Sequence, residues 1–344
     1  GLKHVCICPG SRSAPLTISF ARHADIRTWV HLDERSAAFF ALGIARALRE
    51  PVALVCSSGT ATANFLPAIV EARYGMLPLM ALTADRPSDV TDWGALQTID
   101  QTRLYGSHPK WSVDMPRPEA TTELMAYVRS LACRAYATAA TAPAGPVHIN
   151  FPFGDPLGPK VVTEDFPHEL SNLDEESWYG RADGWPMIIA PSVETRPRPE
   201  DVRRLVAGKL SAERGVIICG PQPDPALARV ATDLGRRLGF PVLADALSQV
   251  RCGPHDKSLV IDNYDVFIRD DDIAASLEPE VVVRLGALPV SKPLTQYLER
   301  HRSAQHILVD ESADWRDPFR ITSQIWQLDP VVFCEVAALA LEER

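Results

Sequence analysis

The stretch His4-Val5-Cys6-Ile7-Cys8-Pro9-Gly10-Ser11-Arg12-Ser13-Ala14-Pro15-Leu16 joins an apolar run, a Pro-Gly turn and the start of a helical pattern. The apolar run predicts a buried strand over residues 4–8, and the pattern after the turn predicts a helix over residues 15–24. Hydroxyl and guanidinium groups lie at the junction of the two elements. Because ligands of open α/β sheets bind outside the carboxyl ends of the strands, Ser11 and Arg12 are candidates for a site.

The same alternation of apolar runs and helical patterns continues through the first half of the chain. Further strands are predicted over residues 26–32, 51–56, 78–83 and 147–151. Helices are predicted over residues 36–48, from the turn at 57–60 to about residue 72, and over 121–140. Pro67 lies inside the second of these helical patterns and predicts a kink there. Strands that alternate with helices indicate a mostly parallel sheet.

Periodicity fades between about residue 154 and residue 199, and we interpret this stretch as a long connection packed in part through Trp178 and Trp185. A second α/β unit follows it, with strands predicted over 215–219, 241–245, 281–285 and 305–310 and a helix over 225–238. The glycine spacing of a dinucleotide-binding loop is missing from residues 220–224, which favours a structural Rossmann-like layer. The predicted fold class is therefore α/β, with two doubly wound, mostly parallel-sheet domains over 1–155 and 201–344 and a linker over 156–200.

Length, net charge and cysteine content limit the classes of partner and the compartment that we expect for this protein. The 344 residues suggest about two domains, and a net charge of −9 argues against nucleic acid or an anionic membrane surface as a partner. No apolar stretch is long enough to span a bilayer, and we see no signal peptide. Seven scattered cysteines without a CxxC pair are typical of a reducing cytoplasm, and Cys6 and Cys8 share one strand face as small buried hydrophobes.

Basic side chains follow three different predicted strands: Arg12, Arg86 and Lys292. Arg12, with Ser11 and the free N–H groups of the turn, could hold a carboxylate or phosphate, or be a surface arginine beside a helix cap. Arg86 could bind a carboxylate through both of its guanidinium edges or simply pair with Asp85. Lys292 could complete an anion site or be a solvated lysine. In an acidic protein, the three together suggest a small substrate with more than one carboxylate.

Glu34 ends an apolar strand and precedes an apolar helical face, so we expect its carboxylate to be at least half buried. An acid near a helix N-terminus is also common without any function, and the pattern does not separate the two interpretations.

Two polar loops are further candidates for contact with a ligand. The turn Ser57-Ser58-Gly59-Thr60 lacks the GxSxG spacing of a nucleophile, so it is interpreted as a helix N-terminus that receives a polar ligand. Gln97 and Gln101 lie in a polar loop and could hydrogen-bond to a ligand. His31 and His148, both on apolar strands, are interpreted as packed, hydrogen-bonded histidines.

An ordered set of segments resembles the MenD family, the 2-succinyl-5-enolpyruvyl-6-hydroxy-3-cyclohexene-1-carboxylate (SEPHCHC) synthases, across nearly the whole chain. The matching residues are 8–13, 33–35, 58–61 with Asn64 and Pro67, 82–87, 97–101, 145–150, 245–249 and 289–293. The resemblance implies a pyrimidine-binding domain followed by a Rossmann-like central domain. It also implies a transferase of menaquinone biosynthesis that uses thiamine diphosphate, decarboxylates 2-oxoglutarate, adds the succinyl carbanion equivalent to isochorismate and releases CO2.

The resemblance also implies roles for individual residues. Glu34 would be catalytic and would hydrogen-bond N1′ of the aminopyrimidine, which favours the imino tautomer that removes the C2 proton of the thiazolium. The cofactor would also contact Ser58, Gly59 and Thr60. The residues that match the isochorismate-binding positions of the family are Ser11, Arg12, Arg86, Gln97 and Lys292. Pro293 stands where some members have an arginine, so one basic contact is expected to be missing.

The family carries a third, C-terminal domain whose Gly-Asp-Gly…Asn motif holds Mg²⁺ (or Mn²⁺) and the diphosphate of the cofactor. That motif does not occur before Arg344, so we expect no metal ligand in this chain, and the resemblance implies that it holds the pyrimidine-binding and central domains only. Gly1-Leu2-Lys3-His4 runs straight into the first predicted strand, so we expect the natural protein to begin earlier than Gly1. Family active sites form between subunits, which implies a homodimer or homotetramer. We therefore expect the chain alone to bind cofactor weakly and not to turn over.

Two other interpretations remain open on the sequence. One is a different thiamine-diphosphate enzyme, related to acetolactate synthase, which would share the glutamate but should lack the basic set. The other is a non-catalytic binding module that keeps the fold.

Overall fold

The computed structural model describes residues 1–158, 175–191, 193–312 and 314–343. It divides into two compact units, residues 1–193 and 194–344, each considered below by itself. Part of the predicted linker, residues 159–174 and 192, lies outside the described residues. In the remainder of that linker Trp178 is half-buried, whereas Trp185 is 61% exposed, so the prediction that Trp185 packs is wrong.

The first unit is built on a six-stranded sheet in which every described strand pair is parallel. Its strands are β1 (His4–Ile7), β2 (Arg27–Val30), β3 (Val52–Cys56), β4 (Leu79–Asp85), β5 (Trp111–Asp114) and β6 (Val147–Pro152), in the order β2-β1-β3-β4-β6-β5. Its helices are α1 (Ala14–Arg22), α2 (Glu34–Leu48), α3 (Thr60–Ala63), α4 (Leu66–Tyr74), α5 (Thr122–Ala140) and α6 (Glu175–Tyr179).

Helices cover both faces of this sheet, which is why its central strand β3 is apolar on every residue. All five residues of β3 are buried, and alternate side chains enter different cores. Leu54 packs with alanines of α2 and with α4, whereas Val55 packs towards α5. Burial of a leucine or valine side chain contributes about 1.5–3 kcal/mol, so this strand anchors the unit.

Pro67 corrects one sequence prediction. The expected single helix to about residue 72 is two helices, and Pro67 is the second residue of α4, not an interior residue that kinks a longer helix. A proline lacks the N–H that an interior helical position needs, but in the first turn that N–H has no intrahelical partner anyway. The chain therefore ends α3 at Ala63 and begins a new helix at Leu66.

The second unit repeats the architecture with another six-stranded parallel sheet among the described residues. Its strands are β7 (Gly215–Cys219), β8 (Val242–Ala244), β9 (Val260–Ile261), β10 (Val281–Leu285), β11 (Gln305–Val309) and β12 (Thr322–Trp326), in the order β12-β11-β10-β7-β8-β9. Its helices are α7 (Pro199–Ala207), α8 (Leu227–Leu238), α9 (Tyr264–Phe267), α10 (Asp271–Ser276), α11 (Lys292–Arg300) and α12 (Pro330–Glu342), with a single 3₁₀ turn at Lys209–Ser211. The predicted fold class is confirmed.

The loops that follow β7 and β10 meet at the point where the strand order of the second sheet reverses. A Cβ on Gly220 would lie 1.7 Å from the carbonyl oxygen of Ala287, so only glycine fits there. The N–H of Gly220 also donates to the carbonyl of Leu285 at 2.9 Å. This close contact explains why glycine is needed at the end of β7.

All seven cysteines are free thiols, and Cys6 and Cys8 are buried in the same core cluster. No described helix combines the length and the apolar character that a membrane crossing requires.

Candidate functional site

The candidate site lies at the carboxyl edge of the first sheet, where the strand order reverses between β1 and β3. The loops after these strands are in direct contact, since a Cβ on Gly10 would lie 2.6 Å from the Cβ of Ser57. Glycine is therefore required at residue 10 for the first loop to reach the second. The contact brings Arg12 and Ser58 to the same end of the sheet as Arg86, which follows β4.

The guanidinium group of Arg12 is anchored through Nη1 and keeps an N–H group, at Nε, that has no hydrogen-bond partner. Its Nη1 donates to the carbonyl oxygen of Phe153 at 2.7 Å and lies 3.7 Å from the exposed carboxylate of Asp155. The side chain is only 15% exposed, and its Nε is buried without a hydrogen-bond partner. A buried guanidinium N–H without a partner is costly, and an anionic ligand would satisfy it.

Arg86 is fixed by contacts with both neighbouring loops. Its Nη1 donates to the carbonyl oxygen of Gln97 at 2.6 Å and to the hydroxyl of the fully buried Ser58. Burial lowers the pKa of Arg86, and the charge of Arg12 lowers it further. Two guanidinium groups that repel each other in a partly buried place are suited to a carboxylate bound between them.

Gly59 and Gln97 face each other with unusual backbone angles. Gly59 has φ 77° and ψ −138°, a conformation open to glycine, and a Cβ there would lie 3.0 Å from both Cγ and the carbonyl oxygen of Gln97. Gln97 has φ 58°, in the left-handed region, and its Nε2 donates to the carbonyl of Ser58 at 3.0 Å. Glycine adopts a positive φ without penalty, whereas the left-handed conformation of Gln97 costs about 1–3 kcal/mol, and such strained residues cluster at functional sites.

A buried amide network lies directly below these loops. Gln101, 1% exposed, accepts a hydrogen bond from the N–H of Gly59 at 2.8 Å through Oε1. Its Nε2 donates to the carbonyl of Ala84 at 3.1 Å and to Oδ1 of Asn150 at 2.8 Å. Asn150, on β6, is 5% exposed, so the network is closed to solvent.

The network ends on two carboxylates. Nδ2 of Asn150 donates to Asp85 at 2.9 Å and to Asp114 at 3.0 Å. The other oxygen of Asp85 accepts the backbone N–H of Arg86 at 2.7 Å. Burial raises the pKa of Asp85, although these hydrogen bonds partly oppose the shift. The sequence analysis missed this network, for which the only signal is a pair of polar residues, His148 and Asn150, inside an otherwise apolar strand.

His148 lies next to this buried network. The Thr83 hydroxyl donates to Oδ1 of Asn150 at 2.8 Å and is also 2.8 Å from Nε2 of His148. Burial lowers the pKa of His148 to about 4, so the ring is neutral at physiological pH. Its ring packs edge-on against Tyr105 at a centroid distance of 4.7 Å, and the sequence-based interpretation of His148 is confirmed.

His31 differs from that interpretation. Its ring lies 4.9 Å from the ring of Phe40, but its Nε2 is buried without a hydrogen-bond partner, so the prediction of a hydrogen-bonded side chain is wrong. The residue directly follows β2, an edge strand of the sheet, where few polar groups can reach the ring.

Glu34 is the first residue of α2 and is half-buried. The preceding Asp33 caps the helix by accepting the N–H of Ser36 at 2.7 Å. The Glu34 carboxylate is therefore not needed as the helix cap. Burial raises the pKa of Cys8 to about 12, and the negative charge of Glu34 contributes to that shift. The Glu34 carboxylate is therefore close enough to Cys8, the residue after β1, to act on its thiol.

The structure thus brings together five of the predicted site residues: Arg12, Ser58, Gly59, Arg86 and Gln97. Ser11 and Thr60 are exposed at the rim of the same edge. Lys292 belongs to the second unit, where it is the exposed first residue of α11, behind the N-cap Ser291. Among the described residues, no cluster of three or more His, Cys, Asp or Glu side chains is placed to hold a metal ion.

Two family models match the chain. A thiamine pyrophosphate enzyme N-terminal TPP-binding domain matches residues 1–104, and a middle domain of thiamine pyrophosphate enzymes matches residues 176–343. The first covers β1 to β4 of the first sheet, and the second covers all six strands of the second sheet.

Curated relatives match nearly the whole chain. The SEPHCHC synthase of Geobacillus kaustophilus is 47% identical over 97% of this chain and 56% of its own length. Those of Chloroflexus aurantiacus and Haloarcula marismortui are 43% and 45% identical over 99% and 92% of this chain. The chain spans little more than half the length of these relatives, 54–56%.

A solved structure shows the same fold at low identity. Benzoylformate decarboxylase from Polynucleobacter necessarius superposes with a TM-score of 0.68 at 19% identity, over 98% of this chain and 58% of that protein.

Proposed function

We propose, from the premise that this chain belongs to the SEPHCHC synthase family of thiamine pyrophosphate enzymes, that the full-length protein makes SEPHCHC. It would decarboxylate 2-oxoglutarate and transfer the four-carbon succinyl unit to isochorismate, with release of CO2. In this proposal the first unit supplies the two arginines that bind isochorismate and the residue that activates the cofactor.

The observation that carries the proposal is the pair Arg12 and Arg86. Each is anchored through one guanidinium nitrogen, the two repel each other, and Nε of Arg12 has no partner. Isochorismate carries two carboxylates, one on the ring and one on the enolpyruvyl group, and such groups bind arginine in the bidentate manner. Gln97, Ser11 and Lys292 are proposed as further contacts of this substrate.

The residues of the first unit fit the aminopyrimidine of thiamine diphosphate. Glu34 is a half-buried carboxylate with no hydrogen bond to a described residue, close to the ends of β1 and β3. A carboxylate there can hydrogen-bond a ring nitrogen and hold a proton at that atom. Bound thiamine diphosphate supplies the electron sink that decarboxylation of a 2-oxo acid needs. We propose Ser58, Gly59 and Thr60 as the wall that orients the ring.

The remaining parts of the proposal concern groups outside this chain. A divalent cation, Mg²⁺ or Mn²⁺, would bind the diphosphate through the part of the full-length protein that the chain does not contain. We further propose a cytoplasmic homodimer or homotetramer in which the subunits complete each other's active sites.

The test is an acceptor comparison with the full-length protein, 2-oxoglutarate, cofactor and Mg²⁺. CO2 release should depend on isochorismate, and pyruvate should not replace it as acceptor. Equal use of pyruvate would point instead to an acetolactate synthase-like enzyme, and no turnover with either acceptor would favour a non-catalytic module. As a second arm, the chain of 344 residues alone should release no significant CO2 from 2-oxoglutarate.

A further inference from the structure

We infer that Gln101 and Asn150 are positioning residues that hold the Ser58–Gly59 loop and Arg86 in register for the acceptor. The inference rests on the proposed function, because that proposal assigns Arg86 to isochorismate. Neither amide is part of the anion site itself, since both are at least 95% buried beneath it.

Gln101 connects two site loops through one side chain. Oε1 receives the N–H of Gly59 at 2.8 Å, and Nε2 donates to the carbonyl of Ala84, two residues before Arg86, at 3.1 Å. A glutamine has the one acceptor and the two donor N–H groups that these positions and Asn150 require. Every hydrogen-bonding position of this amide is thus matched by the loops it joins.

Asn150 extends the connection to the backbone of Arg86. Oδ1 of Asn150 accepts from Gln101 and Thr83, and Nδ2 donates to Asp85, whose second oxygen accepts the N–H of Arg86. The chain of bonds therefore runs from the N–H of Gly59 to the N–H of Arg86 entirely through buried side chains. Buried networks of this kind fix geometry because each broken bond leaves a group without solvent.

A shift in this network would move Arg86 relative to Ser58. Arg86 touches Ser58 and the Gln97 carbonyl, and Gly59 packs on Gln97. Loss of the support beneath Gly59 would let the loop and the guanidinium move apart. We expect the consequence to be weaker acceptor binding, with smaller effects on the steps at the cofactor.

The substitution Gln101→Glu tests this with almost no change of volume. One carboxylate oxygen can still accept from Gly59, but the other now faces two acceptors, the Ala84 carbonyl and Oδ1 of Asn150. The ionised form is repelled there, whereas the protonated form donates one hydrogen bond. The defect should therefore be largest at high pH and should shrink as pH falls through the raised pKa of the new carboxyl.

In the full-length enzyme, KM for isochorismate of Gln101→Glu should rise about tenfold at pH 8, with kcat changed less than about threefold. The rise should fall towards about twofold at pH 6. Gln101→Leu should show the raised KM at both pH values, because leucine cannot donate.

The matched control is Tyr105→Phe. The Tyr105 hydroxyl donates to the Thr62 carbonyl at 2.8 Å, so the control also removes one buried hydrogen bond from the same segment, without touching Gly59 or Arg86. It should lower the thermal midpoint and leave KM for isochorismate unchanged. If Tyr105→Phe raised KM as much as Gln101→Glu, or if the Gln101→Glu defect were independent of pH, the positioning role would be refuted.

Amide hydrogen exchange separates this inference from the proposed function, since it needs no substrate. In Gln101→Leu, peptides of the full-length protein that span residues 57–60 and 84–88 should exchange at least about tenfold faster than in the parent, while peptides of α5 stay unchanged. If the parent protein were inactive but showed this exchange pattern, the proposed function would be wrong and the structural role of the Gln101 network would still stand. Unchanged exchange in both segments would sink the inference, whatever the parent's activity.

Discussion

The two units share one architecture and treat charge in opposite ways. In the first, Arg12 and Arg86 lie at the carboxyl edge of the sheet, and Nε of Arg12 lacks a partner. In the second, Arg284 lies inside the sheet on β10, 4% exposed, with buried Asp310 and the Asp317 carboxylate as counter-charges. Nε lacks a hydrogen-bond partner in both Arg12 and Arg284, so the difference lies in the counter-charges. Arg284 faces the buried carboxylates of Asp310 and Asp317, whereas the carboxylate paired with Arg12, that of Asp155, is 80% exposed. The charge at the strand end is therefore the one suited to a ligand.

Backbone groups also hydrogen-bond to the charged side chains around Arg284 in the second unit. Arg284 donates to the carbonyl of Arg316 at 2.7 Å and lies 4.0 Å from Asp317. Asp317 in turn accepts the N–H groups of Ile321 and Thr322 at 2.9 and 2.7 Å, which orders the turn before β12. Burial lowers the pKa of Arg284, and the neighbouring Asp317 and Asp310 charges oppose that shift.

The largest expected effect is on this buried pair. Arg284→Met should reduce the free energy of unfolding by about 3–5 kcal/mol, because it leaves the Asp317 carboxylate without its cation and Asp310 with Arg316 alone. Urea unfolding measures the loss. Arg300→Met is the control, since the Arg300–Asp271 pair is exposed and should contribute no more than about 1 kcal/mol. Similar losses for both variants would show that the buried Arg284 pair contributes no more to stability than an exposed pair.

Glu34→Gln should abolish most activity and spare the fold. In the full-length enzyme kcat should fall about 1,000-fold, since glutamine cannot hold the proton at the ring nitrogen. The thermal midpoint should change little because the Glu34 side chain makes no hydrogen bond to a described residue. Steady-state CO2 release gives the rate. Near-wild-type turnover would show that the proposed catalytic role is wrong.

His148 should make the first unit acid-sensitive. Its pKa is about 4 in the folded chain, against 6.5 in the unfolded chain, so below pH 6.5 the unfolded chain takes up a proton that the folded chain rejects. Stability should therefore fall as pH drops from about 6.5 to about 4, by up to about 3 kcal/mol, and be unaffected above that range.

Denaturant unfolding at a series of pH values measures this dependence, with His148→Gln as control. The control should flatten part of the slope and leave the contribution of His306, whose pKa burial also lowers, in the second unit. An identical slope in both proteins would mean that His148 is not the group that titrates.

The smallest expected effect tests the shape of the anion site. Arg86→Lys keeps the charge but loses the planar guanidinium, in which Nη1 donates to Ser58 and the Gln97 carbonyl while the other nitrogens remain for a carboxylate. KM for isochorismate should rise about tenfold, with little change in KM for 2-oxoglutarate. Initial-rate kinetics with each substrate varied in turn decide this, and equal rises in both constants would remove the specific link to the acceptor.

Sequence alone predicted the sheets well, because their strands are buried apolar runs bounded by turns. The resemblance to the SEPHCHC synthases is likewise confirmed by the curated relatives. Strands β5, β9 and β12 were missed, since they are short or half-exposed and carry no apolar run. Pro67 was assigned to a helix interior because periodicity does not show where one helix stops and the next begins.

Arg12, Ser58 and Arg86 were predicted because each lies in a loop that follows a strand, and the parallel sheet brings these loops together. Gln97 and Gln101 were predicted as ligand contacts because they lie in a polar loop, but Gln101 is buried beneath the site. Its partner Gly59 is separated from it by 41 intervening residues, and only the course of the loop after β4 brings the two into contact. The roles of Gln101 and Asn150 therefore depend on tertiary structure that no local pattern specifies.

The central claim is that Arg12 and Arg86 together bind isochorismate, with Glu34 at the cofactor beside it. A crystal structure of the full-length enzyme with thiamine diphosphate and isochorismate tests it most directly. We predict an isochorismate carboxylate within hydrogen-bonding distance of both guanidinium groups and the Glu34 carboxylate at a nitrogen of the aminopyrimidine. Isochorismate bound away from both arginines, or Glu34 turned into bulk water, would contradict the account.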